Sequence, residues 1–221
     1  MDTKIFRDLS YGVYITTTLD GQRPTGCITN SVMQITSSPA TLAVSVNHDN
    51  FTNGCIAKTG KFAVSILPEN TDPVLIGAFG FQSGKDKDKF AGVDYELAEG
   101  IPVVKASMGY MVCKVISTME TSTHTVFLGE VIAAEVYERT APAMTYAYYH
   151  AVLKGKSPKN APTYQPPGIL RRFCLSGVRV RLRGGRSPHR LHLPGLRREQ
   201  GEFQTPQTPL EIYVPGLRLR L

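Results

Sequence analysis

The chain has 221 residues, of which 42% are hydrophobic and 19% charged, so it is long enough for one domain with a sizeable core and a short extension. No apolar run reaches the 18 or so residues of a membrane span, and the N-terminus MDTKIFRDLS lacks the pattern of a signal peptide, so we expect neither. The four cysteines (Cys27, Cys55, Cys113 and Cys174) have no paired spacing, which favours reduced thiols and a cytoplasmic protein.

The formal net charge of +7 is distributed unevenly along the chain. Residues 1–164 carry 14 Lys and Arg against 15 Asp and Glu, whereas residues 165–221 carry 11 against 3. All 11 basic residues of the second part are Arg, while 11 of the 14 in the first part are Lys. We therefore predict a folded domain over 1–160 and an Arg- and Pro-rich tail over 161–221 that is not natively folded, with disorder from about residue 168.

The predicted elements alternate between strands and short helices. Strands rich in β-branched and aromatic residues are predicted at 11–18, 26–37, 40–47, 61–67, 103–118, 124–138 and 144–153, with an Asp-Gly turn inside 19–26. Short helices are predicted at 50–60 and 72–80, each ending in glycine, and 81–92 is predicted as a loop. No G-x-G-x-x-G or P-loop motif occurs. The fold class is therefore all-β with short helices (α+β), and we expect a β-barrel rather than a doubly wound sheet.

Short polar side chains cluster where two of these strands end. Thr29, Asn30 and Ser31 follow one strand, and Asn47, His48, Asn50 and Thr52 lie between another strand and a helix. The second cluster at a helix N-terminus suits a phosphate dianion, because free N–H groups and the helix dipole both favour negative charge. The alternatives are a plain strand end and an ordinary N-cap without a ligand. Taken together, the two clusters indicate a pocket for flavin mononucleotide (FMN).

Three motifs in order carry a resemblance to a known family. The segments TNSVMQITSSPATLAVSVNHDNFT, FGFQSGKDKDKF and HTVFLGEV resemble the flavin reductase family with the FMN-binding split-barrel fold, and within it the flavin domain of flavoredoxins and high-molecular-weight rubredoxins. The resemblance covers about residues 1–160. It implies a six-stranded barrel that forms a homodimer with FMN near the interface.

The resemblance also implies roles for individual residues. Thr29, Asn30, Ser31 and Val32 would line the isoalloxazine and ribityl chain, and Ser45, Val46, Asn47, Asn50 and Thr52 would reach the ribityl and phosphate. Lys89 and Phe90 of the loop at 81–92 would lie nearest the flavin. Lys85 and Lys87 are expected to belong to a charge run that faces solvent. His124 is the candidate catalytic residue on the side where the electron donor approaches, although a lone histidine is more often structural.

The function implied by the resemblance is flavin-dependent electron transfer by an oxidoreductase. FMN would accept a hydride from NAD(P)H, or electrons from a redox partner, and a passive flavin carrier is an alternative. The acceptor would be a rubredoxin-type protein or a diiron flavoprotein. No iron is expected in the chain as written, because the sequence has no Cys-x-x-Cys pair.

The tail allows two interpretations. It contains the near-repeats LSGVR (175–179), LPGLR (193–197) and VPGLR (214–218), and as protein it could be an Arg-rich arm that binds nucleic acid in a salt-sensitive way. Alternatively, a one-base shift of the reading frame permits Cys-Pro-Val-Cys-Gly at each repeat, which resembles the iron-binding knuckles of rubredoxin. We therefore hypothesise that a rubredoxin region is translated out of frame after about Gln165–Arg172.

Overall fold

A computed structural model describes residues 5–6, 9–139 and 141–155, together with the backbone of 211–214 and 217–220. These residues belong to two units, one within 1–169 and one within 170–221. The first unit consists mostly of antiparallel strands with a few short helices, which is the predicted fold class.

The secondary structure of the first unit follows the chain in a simple order. Its elements are β1 (Tyr14–Asp20), β2 (Arg23–Thr29), β3 (Val32–Ser37), β4 (Ala40–Asn47), α1 (Phe51–Thr59), β5 (Lys61–Ile66), α2 (Pro73–Phe81), β6 (Tyr95–Ala98), β7 (Ile101–Val104), β8 (Gly109–Glu120), β9 (His124–Val136) and α3 (Tyr146–Ala151). In the second unit, β10 (Glu211–Val214) pairs antiparallel with β11 (Leu217–Arg220).

Seven strands form one antiparallel sheet in the order β2-β1-β5-β8-β9-β4-β3. The two edge strands, β2 and β3, are consecutive in the chain and are joined by only Asn30 and Ser31. Two residues span less than about 11 Å when extended, so the sheet must curl until its edges come together at this link. The sheet has one strand more than the six that the resemblance implied.

The interior of the curled sheet is apolar. Phe62, Val64 and Phe127 are fully buried and pack in one cluster with Cys27, Val44 and other side chains. A second cluster places α2 against the start of β1, where Phe79 meets Val13 and Ile15. Burial of each large apolar side chain stabilises the fold by about 1.5–3 kcal/mol. The two clusters therefore hold the ends of β2, β4 and α2 at fixed positions.

Two of the helix boundaries follow from capping residues. The side chain of Asn50 accepts a hydrogen bond from the Thr52 amide at the start of α1, and Gly60 ends this helix with a left-handed φ of 66°. In α2, Asp72 caps the Val74 amide and Pro73 occupies the first turn. This helix continues past the predicted glycine end to Phe81, with Gln82 as its C-cap.

Other predicted boundaries were wrong. The strand predicted at 26–37 is two strands broken at Asn30–Ser31, and the strand predicted at 103–118 is β7 followed by β8. The segment predicted as a strand at 144–153 contains the helix α3, although tyrosines favour strands. Thr145 caps this helix by accepting from the Tyr148 amide, and Tyr149 is buried against the core, so capping and packing override the propensity.

The prediction that the tail is disordered falls on residues that, apart from the backbone of β10 and β11, lie outside the described part of the chain. The boundary predicted at 160/161 also lies outside it. Among the described helices, none combines the length and the apolar character needed to cross a bilayer.

Candidate functional site

An open cavity of about 400 Å³ lies where the ends of β2 and β4, the start of α1, the end of α2 and the start of β9 meet. This volume is in the usual range of a small-molecule or cofactor site. The lining residues are Cys27, Ile28, Thr29, Asn30, Ser45, Val46, Asn47, Asp49, Asn50, Phe51, Phe79, Gly80, Phe81, Gln82, Ser83, Lys89 and His124.

The polar lining residues with hydroxyl or amide side chains on β2, β4 and the turns that follow them, here called the polar wall, are Thr29, Asn30, Ser45, Asn47 and Asn50. Thr29, 6% exposed, ends the edge strand β2, and Asn30, 7% exposed, follows it where the chain crosses to β3. The hydroxyl groups of Thr29 and Thr16 lie 2.7 Å apart and share a hydrogen bond across the strand pair. The strand end therefore holds hydroxyl and amide groups at fixed positions beside the cavity.

The turn between β4 and α1 is built from side chain to backbone hydrogen bonds. Asn47 Oδ1 accepts from the Asp49 amide at 2.8 Å, and Asn50 Oδ1 accepts from the Thr52 amide at 3.1 Å. Asn53, in the first turn of α1, donates from Nδ2 to the Val46 carbonyl at 2.9 Å. These bonds fix the N-terminus of α1 at the cavity, where the positive end of the helix dipole favours an anion.

A buried lysine fastens the loop between α2 and β6 to the cavity. Lys89 is 3% exposed, and its ammonium group donates to the Gly26 carbonyl at 2.8 Å and to the Phe79 carbonyl at 3.0 Å. Burial lowers the pKa of Lys89, and the electrostatic interaction with Cys27 acts in the opposite direction. An ammonium group has three N–H donors, and these two carbonyls use two of them.

The same loop also packs tightly at Gly84. A Cβ atom on Gly84 would overlap with Thr25 Oγ1 and come within 3.2 Å of Phe51 Cδ1. Farther along the loop, Lys85 and Lys87 are exposed, as expected for a solvated charge run. The loop therefore contacts β2 and α1 through Gly84 and Lys89, and its remaining charges face solvent.

A second group of lining residues, here called the apolar wall, consists of Ile28, Phe79, Gly80 and Phe81, with Gly80 next to the Ile28 side chain. Phe79 is buried in the core, whereas Phe81 is 54% exposed at the end of α2. A half-exposed aromatic ring in a cavity lining can stack on a planar ligand.

His124 begins β9 and is paired in register with Asn47 of β4. Its Nδ1 lies 2.8 Å from Thr123 Oγ1, and the ring is half-buried in the cavity lining. The strand pairing therefore places His124 beside the β4–α1 turn.

Eight of the twelve residues predicted from the sequence line this one cavity: Thr29, Asn30, Ser45, Val46, Asn47, Asn50, Lys89 and His124. The other four lie outside the lining. Ser31 donates to Asn30 Oδ1 and its carbonyl accepts from the Ser45 amide, while Val32 packs on the apolar interior of the sheet. The Thr52 side chain is buried, and the Phe90 ring packs edge-on against Phe79 with the ring centroids 5.2 Å apart.

Sequence reasoning assigned no role to the apolar wall. Phe79, Gly80 and Phe81 open the segment FGFQSGKDKDKF that carried the resemblance, but they form a hydrophobic helix end without polar groups that would mark a site. Cys27 also lies in the lining; it is 2% exposed, and burial raises the pKa of its thiol.

Comparisons with known proteins agree with this architecture. The high-molecular-weight rubredoxin of Moorella thermoacetica is 44% identical over 166 residues, which cover 74% of this chain and 72% of that protein. The ferric-chelate reductase (NAD(P)H) of Archaeoglobus fulgidus is 39% identical over 166 residues, 74% of this chain and 98% of that protein. Among solved structures, the NADH:FAD oxidoreductase of Streptomyces globisporus is 26% identical, with a TM-score of 0.60 over 65% of this chain and 85% of that chain.

The described domain as a whole corresponds to one family model. Residues 6–155 match the flavin reductase like domain, so the chain belongs to the family of flavin reductase-like oxidoreductases, as its motifs predicted.

Proposed function

We propose that the chain binds FMN in this cavity and uses it to transfer electrons from NAD(P)H to an acceptor. The observation that carries the proposal is that one cavity combines polar side chains at a helix N-terminus with apolar surface and a half-exposed aromatic ring. FMN combines the same features, with a phosphate and ribityl chain at one end and a flat ring at the other.

The chemistry of the lining fits this cofactor. The hydroxyl and amide groups of the polar wall and the N-terminus of α1 provide donors for the ribityl hydroxyls and the phosphate. Asp49 is the one carboxylate among the described lining residues, and it is exposed, so water can screen its charge from a phosphate. Ile28 and Phe81 offer apolar surface to the ring.

A bound flavin would supply hydride acceptance and the release of single electrons, which no side chain of the lining can provide. The chain supplies position and electrostatics. Lys89 ties the Gly26 and Phe79 carbonyls together and thereby sets the distance between β2 and α2. We assign His124 to the side where the nicotinamide approaches, because its half-buried ring lines the cavity.

The donor is tested by anaerobic mixing of the FMN-loaded protein with NADH and, separately, NADPH. Loss of the oxidised flavin absorbance with either nucleotide is the expected result. If neither nucleotide bleaches the flavin while dithionite does, the protein is a passive carrier that needs a protein donor.

For the acceptor we propose a rubredoxin-type iron protein, with a diiron flavoprotein as the next carrier. Support comes from the similarity to a protein named high-molecular-weight rubredoxin and from the out-of-frame interpretation of the tail. The nucleotide sequence after codon 164 tests the tail: a one-base shift should yield Cys-x-x-Cys pairs, and their absence would reject the idea. Stopped-flow oxidation of the reduced flavoprotein by a purified rubredoxin tests the acceptor.

We also propose that the protein is a homodimer. Met33 and Ile35 of the edge strand β3 are 62% and 47% exposed, and Ile116 and Met119 of β8 are 51% and 59% exposed. Exposed apolar side chains on strands favour association. Light scattering should give twice the chain mass of 24.2 kDa, and Met33→Lys should shift it towards the monomer. A monomeric wild-type protein at micromolar concentration would reject the dimer.

The alternative function, nucleic-acid binding through the Arg-rich tail, depends on residues of which the structure describes only the backbone of 211–214 and 217–220. A steep loss of DNA affinity with salt in a protein that does not bind FMN would support it.

A further inference from the structure

The turn that carries His124 is fastened to the β4–α1 turn by a pair of exposed side chains. His48 Nε2 lies 2.9 Å from Glu120 Oε2, and the two residues are 72 positions apart in the chain. Because a carboxylate only accepts hydrogen bonds, Nε2 carries the proton, in the neutral ring or in the imidazolium. The side chains of His48 and Glu120 are 38% and 65% exposed, so the pair lies at the surface beside the cavity and not within its lining.

Glu120 connects this contact to the start of β9. Its Oε2 atom also accepts from the hydroxyl of Thr125 at 3.0 Å, and Thr125 is 4% exposed and adjacent to His124. The same oxygen therefore holds a residue of the β4–α1 turn and a residue of β9. The backbone pairing of β4 with β9 ends at Asn47 and His124, and just beyond it the His48 amide donates to the Thr123 carbonyl at 2.9 Å.

The tip of the β8–β9 hairpin leaves His124 little freedom of its own. Thr121 Oγ1 donates to the His124 carbonyl at 2.7 Å and accepts from the His124 amide at 3.0 Å. The Thr121 amide donates to the same carbonyl at 2.9 Å. The tip is therefore internally bonded, and beyond the last strand pair its contacts with the β4–α1 turn are those from His48 to Thr123 and Glu120.

We propose that His48 and Glu120 are positioning residues, which hold the His124 side of the cavity at a fixed distance from the β4–α1 turn and so set the affinity for the electron donor. The positioning role depends on the proposed function in one respect only, that NAD(P)H is the electron donor. Neither residue lines the cavity. Their effect therefore passes through His124 on one side and through Asn47 and Asn50 on the other.

The kinetic test compares Glu120→Ala with the matched control Glu130→Ala, which removes an exposed glutamate on β9 away from the cavity lining. Exposed ion pairs contribute up to about 1 kcal/mol, so Glu120→Ala should raise the KM for the reducing nucleotide about fivefold and leave kcat within about twofold. Glu120→Gln keeps an oxygen that accepts from His48 and Thr125, and should restore most of the affinity.

A double-mutant cycle shows whether the two residues act as one unit. If they do, the variant with both His48→Ala and Glu120→Ala should have the same KM as Glu120→Ala alone. Additive increases, or an equal increase in Glu130→Ala, would overturn the proposal.

A second readout needs neither cofactor nor activity. The chain has five histidines, and histidine-to-glutamine variants assign their ring signals in nitrogen-15 NMR spectra. Glu120→Ala should shift the ring signals of both His48 and His124, and Glu130→Ala should shift neither. Unchanged His124 signals would reject the positioning role. If these signals move but no nucleotide reduces the flavin, the proposed donor is wrong and the positioning role stands.

Discussion

The two walls of the cavity differ in how visible they are in the sequence. The polar wall consists of short polar side chains at strand ends and at a helix start, and such residues rarely cluster without a capping or binding role. The apolar wall consists of residues that any hydrophobic helix end would contain. The difference shows that a sequence reveals the polar groups of a cavity more readily than its apolar surface.

The largest effect is expected where one residue ties β2 to α2 beside the cavity. Lys89→Met removes hydrogen bonds to the carbonyls of Gly26 and Phe79, and should lower the free energy of unfolding by about 2 kcal/mol in urea titrations. Lys85→Met, on the same loop but exposed, should change it by less than about 0.5 kcal/mol. Equal stabilities of the two variants would show that Lys89 does not hold β2 and α2 together.

The polar wall is tested by a cap replacement. Asn50→Ala removes a lining amide and the cap of α1, and should weaken FMN binding about tenfold, which corresponds to about 1.4 kcal/mol. Asp72→Ala removes the cap of α2 without removing a lining side chain. Both variants should lose about 1 kcal/mol of stability. The assignment of Asn50 to the FMN site fails if fluorescence titration finds the same FMN affinity in Asn50→Ala and Asp72→Ala.

The apolar wall should respond more weakly. Phe81→Ala removes a half-exposed ring, so it should leave stability almost unchanged and weaken FMN binding about fivefold, in line with about 1 kcal/mol for an aromatic contact. Val74→Ala is the control, because Val74 is 76% exposed on the same helix and lies outside the lining. An unchanged FMN affinity in Phe81→Ala would remove this side chain from the site.

The smallest expected effect is a change of the free energy of unfolding with pH. Burial lowers the pKa of Lys89 below its ordinary 10.5, so in the alkaline range up to that value the folded chain holds fewer protons than the unfolded chain. The stability of the wild type relative to Lys89→Met should therefore rise as pH increases towards 10.5. Urea midpoints measured at several pH values check the sign, and a falling difference would contradict it.

The parts of the fold that were predictable have local causes. Asn50 and Gly60 mark the ends of α1, and the Asp20–Gly21 turn separates β1 from β2. The break at Asn30–Ser31 was not predictable from periodicity, because it arises from the crossing between the two edges of the sheet. The helix at Tyr146–Ala151 was missed because its tyrosines favour strands until Tyr149 packs against the core.

The candidate site was predictable to the extent that motifs carry it. Eight predicted residues line one cavity although they come from five separate segments, and the resemblance supplied that grouping. Thr52 and Phe90 are adjacent in sequence to lining residues but point to the core, and a single sequence does not distinguish these two orientations.

The central claim is that this cavity holds FMN with its phosphate at the start of α1. The most direct measurement is a fluorescence titration of the protein, freed of flavin, with FMN and with riboflavin, which lacks the phosphate. The account predicts one FMN per chain, bound at least about tenfold more tightly than riboflavin, with this preference reduced in Asn50→Ala. Equal affinity for FMN and riboflavin, or no saturable binding of either, would contradict it.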